Sequence, residues 1–184
     1  MNPLRIHIMG ASGAGVSTLG RALSAATGAA HLDTDDFYWL PDAAPYTVKR
    51  DVAARLALLR EAFDAAGARG WVLSGAAGDW ADPIVAMFGL VVFLAAPAEV
   101  RVARLWEREK RNFGAAAEEG GARRREIEDF IAWAAAYDSG EREGRSLPRH
   151  EAWLARLSCP VLRLDATRPV ESLVADVLGE LRRG

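Results

Sequence analysis

The sequence predicts an α/β protein in which a mostly parallel β-sheet is covered by helices on both faces. Three observations lead to this prediction. Short apolar runs alternate with longer segments of helical periodicity along the 184 residues, which is the pattern of βαβ units. The first apolar run enters a glycine-rich turn that opens a helix. A content of 51% hydrophobic and 26% charged residues is typical of one globular domain, here residues 1–184.

Five strands and six helices follow from the local patterns. The first strand, "LRIHIM", alternates and ends at a glycine, and the other four are short apolar runs bounded by turn residues. The predicted strands span residues 4–9, 29–33, 71–75, 90–94 and 161–165. The first helix follows the glycine-rich turn and is closed by Gly28. The other helices are predicted at about 48–67, 98–112, 122–138, 148–157 and 169–182.

Composition excludes several classes of partner. A formal net charge of −2 supplies no basic field for nucleic-acid binding. The N-terminus lacks the features of a signal peptide, and no apolar run approaches the ~18 residues of a membrane span. We therefore expect a cytoplasmic monomer or homodimer that binds neither nucleic acid nor membrane.

The stretch "GASGAGVSTLG" (residues 10–20) is a candidate phosphate-binding loop. The phosphate-loop pattern G-x-x-x-x-G-K-[ST] fits at Gly10, Gly15 and Ser17, but Val16 stands where the lysine belongs. Such a loop binds phosphate through inward-pointing backbone N–H groups and the start of the following helix. The predicted nucleotide cradle comprises Gly10, Ala11, Ser12, Gly13, Ala14, Gly15, Val16, Ser17 and Thr18. The alternative is an ordinary glycine turn in which Ser17 only caps a helix.

Together with "HLDTDDFYW", "WVLSGAAGDW" and "LDATRPVESLVADVL", this loop resembles the small P-loop kinases of the adenylate kinase and shikimate kinase type and their relatives, the topology modulation proteins. The resemblance covers nearly the whole chain and rests on the order and spacing of the motifs. It implies the three-layer P-loop nucleoside triphosphate hydrolase fold, with a five-stranded parallel sheet in the order 2-3-1-4-5. It also implies a lid at about 108–126 and the use of ATP and Mg²⁺.

The acidic cluster matches the Asp-x-Asp that shikimate-type kinases carry after the second strand. By this resemblance Asp33 and Asp35 are catalytic, and Asp33 shares the metal with Ser17. The resemblance also implies an acceptor site that includes Asp36, Lys49, Arg50 and Gly75. Carboxylates suit phosphoryl transfer because it needs a metal and an oriented acceptor more than covalent chemistry. The alternative is that the three acids only form a turn or cap the next helix.

Four arginines follow the fourth strand at helical spacing. On a helix they fall within about 80° of arc: Arg101, Arg104, Arg108 and Arg111. By resemblance this is the approach to the lid, where Arg104 and Arg108 clamp the phosphates of ATP. The alternative is a solvated helix face balanced by acids such as Glu107. The loop after the fifth strand, which includes Arg168, is expected to border the adenine.

The missing lysine leaves two hypotheses open. Loss of one preorganised donor to developing charge costs roughly 10²–10³ in rate, unless another cation compensates. Lys49, Arg50 or the arginine helix are the candidates. The first hypothesis is a Mg²⁺-dependent phosphotransferase that acts on a small acceptor, either a nucleotide or a hydroxylated metabolite. The second is a catalytically silent regulatory module that binds nucleotide. The glycines and acids favour the first, and Val16 favours the second.

Overall fold

The computed structural model describes residues 2–41, 48–141 and 143–183. Its single sheet contains β1 (Leu4–Gly10), β2 (Ala30–Asp33), β3 (Gly70–Ser74), β4 (Leu90–Ala95) and β5 (Val161–Asp165). All neighbouring strands are parallel, in the order β2-β3-β1-β4-β5. The fold class and strand order predicted from the sequence are therefore confirmed.

Within the described residues, seven α-helices lie around this sheet. They are α1 (Val16–Thr27), α2 (Thr34–Tyr38), α3 (Val52–Ala65), α4 (Ala98–Phe113), α5 (Arg124–Ala135), α6 (Leu147–Leu154) and α7 (Val170–Leu181). Three 3-10 segments span Gly67–Arg69, Gly78–Met87 and Gly114–Ala117. The predicted helix at about 48–67 starts later because Asp51 caps α3, accepting hydrogen bonds from two backbone N–H groups. The sequence did not predict α2 or the segment Gly78–Met87.

The sheet is buried on both faces because side chains of β1 alternate between two apolar clusters. Ile6 and Ile8 face the cluster formed with α1 and α7, whereas Met9 packs with α3, α6 and the segment Gly78–Met87. His7 is fully buried beside Met9 and donates from Nδ1 to the carbonyl of Leu73 (3.1 Å). Burial lowers the pKa of His7 to about 4. The imidazole is therefore neutral at physiological pH.

A third, smaller cluster joins α4 to α5. Its fully buried centre includes Leu105 and Ala117, and Ile127 and Ile131 close it from α5. The segment Gly114–Ala117, which belongs to the lid expected at about 108–126, is folded against these helices, since Ala117 has no exposed surface. Within the described ranges, no helix combines the length and apolar character needed to cross a bilayer.

Candidate nucleotide and acceptor site

The glycine loop connects the end of β1 to the start of α1 and is shaped by close backbone contacts. Gly13 and Gly15 have φ values of 83° and 91°, in the left-handed region that favours glycine. A Cβ on Gly10 would lie 2.6 Å from the carbonyl oxygen of Leu94, and one on Gly13 would lie 2.6 Å from that of Arg101. The first turn of α1 has no side-chain cap, so its N–H groups remain free for an anion.

Val16 is the first residue of α1 and carries no charge into the loop. Its half-buried side chain packs against the apolar cluster between the sheet and α7. The position that holds a lysine in the standard pattern therefore contributes packing here. Any cation on the terminal phosphates must come from another part of the chain.

Ser17 and Asp33 meet at the mouth of this loop. The Ser17 hydroxyl donates to Asp33 Oδ2 (2.8 Å), and Asp33 Oδ1 accepts the backbone N–H of Asp35 (3.1 Å). The second bond caps α2 and fixes the carboxylate. A hydroxyl and a carboxylate are hard oxygen ligands of the kind Mg²⁺ takes alongside water and phosphate. Among the described residues, no three His, Cys, Asp or Glu side chains form a metal cluster.

The remaining two acids of the cluster lie on α2 beside Asp33. Partial desolvation raises the pKa of Asp35, and the negative charge of Asp33 raises it further, while Arg145 and a hydrogen bond from the Trp39 side chain oppose the rise. The pKa of Asp36 is also raised, first by desolvation and then by Asp33. Both carboxylates therefore accept a proton more readily than an isolated aspartate does, which suits a general base.

Aromatic and basic side chains form the wall next to α2. The guanidinium carbon of Arg55 lies 3.8 Å from the Tyr38 ring centroid and 5.8 Å from that of Trp80. Arg55 is 6% exposed, and its Nε donates to the carbonyl of Arg50 (2.7 Å). The Lys49 ammonium lies 5.9 Å from the same Tyr38 ring. The sequence did not single out Arg55, because its burial depends on rings from two other elements.

Gly75 directly follows β3, next to the acidic cluster. Its φ is 116°, and a Cβ there would lie 2.0 Å from Thr34 Oγ1. Its N–H donates to the carbonyl of Ile8 (3.0 Å). Gly75 therefore lets the chain pass directly against the start of α2, which is a packing role beside the predicted acceptor site.

The arginines of α4 have three different partners. Arg101 is 2% exposed and forms two hydrogen bonds to Asp138, of 2.8 and 3.2 Å. Arg104 Nη2 donates to the carbonyl of Ala166 in the loop after β5 (2.9 Å), and Arg108 binds Glu109. The common helix face predicted from spacing is thus divided, since Arg101 points inward while the other two stay exposed.

The loop after β5 lies within reach of α4, as the bond from Arg104 to Ala166 shows. Arg168, predicted to border the adenine, is paired with Asp176 of α7 (2.6 Å). The sequence missed Asp138 and Asp176 as the ion-pair partners of Arg101 and Arg168, because each acid lies outside the element that carries its arginine.

A cavity of about 640 Å³ opens at the carboxyl ends of β4 and β5. Ala11 of the glycine loop and Thr167 of the loop after β5 both line it, together with Arg101 and Tyr137. Ligands in open α/β sheets bind outside the carboxyl ends of the strands. A smaller cavity of about 190 Å³ lies at the amino ends of β1 and β3, near Arg5 and Gly70. It is therefore away from the glycine loop, which follows the carboxyl end of β1.

Comparisons with known proteins bear on the family and the fold of the chain. No protein-family model matches the chain. The uncharacterized protein YqaC of Bacillus subtilis (strain 168) is 43% identical over 176 residues, which covers 96% of both chains.

Solved structures resemble the chain in fold at much lower identity. A putative kinase from Chloroflexus aurantiacus has a TM-score of 0.58 at 16% identity, covering 100% of this chain and 99% of its own. Shikimate kinase from Acinetobacter baumannii, in complex with shikimate, has a TM-score of 0.56 at 16% identity (98% and 94% covered). A gluconokinase from Sinorhizobium meliloti has a TM-score of 0.52 at 18% identity (98% and 93% covered). The chain therefore has the fold of the small-molecule P-loop kinases.

Proposed function

We propose that this chain, which belongs to the same family as the Bacillus subtilis protein YqaC, is an ATP- and Mg²⁺-dependent phosphotransferase acting on a small molecule in the cytoplasm. The observation that carries the proposal is the 2.8 Å bond between Ser17 and Asp33 at the mouth of the glycine loop. It joins a hydroxyl from the loop to a carboxylate from a neighbouring strand. A phosphate cradle and an oxygen-ligand pair thus lie side by side.

Each part of the site has a role in this reaction. The N–H groups of the loop bind the phosphates, with Gly13 and Gly15 allowing their approach. Ser17 and Asp33 hold Mg²⁺, which supplies charge neutralisation on the terminal phosphates. Arg104 and Arg108 exchange their present partners for phosphate oxygens, because both side chains are exposed. Arg168 lies in the loop proposed to border the adenine.

Asp35 is the group that receives the acceptor's proton. The acceptor hydroxyl oxygen bonds to the γ-phosphorus, the bond from that phosphorus to the bridging oxygen of ADP breaks, and the hydroxyl proton passes to the Asp35 carboxylate. The raised pKa of Asp35 favours this step. Asp36, Arg50 and Gly75 border the acceptor, which is a nucleotide or a hydroxylated metabolite.

A second candidate function is a nucleotide-binding regulatory module without turnover. Val16 favours it, since this residue contributes packing where a catalytic charge is usual. The two functions make different predictions for turnover but share nucleotide binding.

One experiment separates them. Purified protein is incubated with ATP and Mg²⁺ and with separate acceptor sets of hydroxy acids, neutral sugars and nucleoside monophosphates, and ADP release is measured. The phosphotransferase gives release with one set that Asp35→Asn abolishes. ATP binding by calorimetry without acceptor-dependent release in any set supports the regulatory module. Absence of ATP binding at millimolar concentration contradicts both.

A further inference from the structure

The glycine loop lacks the lysine that would place a positive charge beside the phosphates from within the loop. The arginines of α4 must each break a hydrogen bond or ion pair before they can reach a phosphate: Arg101 with Asp138, Arg104 with Ala166 and Arg108 with Glu109. Lys49 differs from these three. It is exposed, and among the described residues the only partner recorded for its ammonium is the Tyr38 ring.

The backbone that carries Lys49 is held firmly beside the acidic cluster. Residues 48–50, which we call the Lys49 segment, pair antiparallel with residues 38–40 through a bridge between Trp39 and Lys49. Two backbone hydrogen bonds of 2.8 and 2.9 Å flank this bridge. The Lys49 segment therefore lies alongside the C-terminal end of α2, the helix that begins directly after Asp33.

Arg50 anchors the Lys49 segment a second time. Its Nε donates to the carbonyl of Phe37 (3.0 Å) and its Nη2 to that of Trp39 (3.2 Å). The carbonyl of Arg50 in turn accepts a bond from the buried Arg55. Each of these bonds joins an arginine side chain to a main-chain carbonyl, so together they position the base of the Lys49 side chain without using its charge.

The ammonium itself is weakly held. A cation over an aromatic ring at an exposed site is held only weakly, and 5.9 Å is near the outer limit of that interaction. Tyr38 lies three residues after Asp35 on α2, about 4.5 Å along the helix axis. The Lys49 side chain has four carbons and free rotation. Its base is paired with Trp39, directly after the short helix that carries Asp35 and Asp36, and its ammonium can leave the ring at little cost.

We propose that Lys49 supplies the positive charge on the β- and γ-phosphates that the lysine of the glycine loop would otherwise supply. The inference rests on the proposed function, since it requires ATP in the loop. The glycine loop then provides the backbone cradle, and the charge comes from the Lys49 segment on the acceptor side. Because this cation belongs to a different element, nucleotide binding also ties the Lys49 segment to the phosphate loop.

The chain offers a direct test because it contains only two lysines, Lys49 and Lys110. Lys110 is exposed in the last turn of α4 and serves as an internal reference. The protein is treated with a lysine-acylating reagent, with and without ATP and Mg²⁺, and both sites are quantified by mass spectrometry. We expect nucleotide to slow acylation of Lys49 several-fold and to leave Lys110 unchanged. Equal rates at Lys49 with and without bound ATP would overturn the inference.

Calorimetry on variants provides the second readout. Loss of one charge-assisted hydrogen bond should weaken ATP binding by about 10- to 150-fold in Lys49→Ala, with a smaller loss for ADP, whereas Lys110→Ala should match wild type. Lys49→Arg should retain part of the affinity. Val16→Lys should tighten wild-type binding less than tenfold but restore ATP affinity when combined with Lys49→Ala.

The outcomes distinguish this inference from the function on which it rests. If wild-type protein binds ATP and Lys49→Ala binds it equally well, the role of Lys49 is refuted while the phosphotransferase stands. If Lys49→Ala loses ATP and ADP affinity to the same extent and Val16→Lys does not rescue it, Lys49 acts through structure and the inference is also refuted. Failure of wild-type protein to bind ATP refutes both proposals.

Discussion

Replacing His7 by phenylalanine should remove much of the protein's acid sensitivity. His7 is fully buried in β1, where it stacks against Phe88 with ring centroids 5.0 Å apart, so another aromatic ring fits the site. Its pKa is about 4 in the native state against a usual 6.5. Between pH 6.5 and pH 4, this histidine is protonated in the unfolded chain but neutral in the native state. The free energy of unfolding therefore falls as the pH falls through this range.

The size of the effect follows from the two pKa values. At pH 5 the preferential protonation of the unfolded chain costs about 2 kcal/mol, and below pH 4 the cost levels off at about 3 kcal/mol. Above pH 7.5 His7 is neutral in both states and contributes no pH dependence. The variant His7→Phe has no such proton to bind, so its stability should change less across this range.

Urea unfolding at pH 7.5 and pH 5.0 measures the effect. The free energy of unfolding of wild type should drop by about 2 kcal/mol more between these pH values than that of His7→Phe. His31 and His150 are present in both proteins, so their titration cancels to first order in the comparison. An equal drop in the two proteins would refute the claim that burial of a neutral His7 controls acid stability.

Three further predictions concern the candidate site. Asp35→Asn should lower kcat by about 10²-fold or more while calorimetry finds ATP binding unchanged; loss of both together would assign Asp35 a structural role. Ser17→Ala should reduce the gain in ATP affinity that Mg²⁺ provides, measured by titrations with and without the metal, and an unchanged gain would remove Ser17 from the metal site. Gly13→Ala should weaken ATP binding and lower the melting temperature, because its Cβ would lie 2.6 Å from the Arg101 carbonyl oxygen at a φ of 83°; wild-type values for both would contradict the close contact.

The sequence predicted the sheet well because its strands are nearly continuous apolar runs that are bounded by turn residues. It missed α2 because five residues are too few for helical periodicity, and this helix depends on the cap from Asp33. It missed the segment Gly78–Met87 because Pro83 lies inside it. In both cases local patterns carried too little information.

Within the candidate site, the sequence indicated which residues belong to it, but it did not predict which hydrogen-bond or ion-pair partner each arginine has. The resemblance assigned the metal to Ser17 and Asp33, and the structure places these two side chains in contact. Helical spacing put Arg101 with the other arginines of α4. Its burial against Asp138, 37 residues further along the chain, depends on tertiary packing that no periodicity reports.

The close approach of Gly13 to the Arg101 carbonyl bears on the order in which parts of this protein can fold during synthesis. The glycine loop precedes Leu94 and Arg101 by more than 80 residues in the sequence, yet it lies directly against their carbonyl oxygens, and β1 pairs with β3 and β4, which also come later. A nascent chain that ends before Arg101 lacks the surfaces that shape the loop. The glycine loop therefore takes its final shape only once β4 and the start of α4 have folded against it, and such long-range pairing is the slow part of folding.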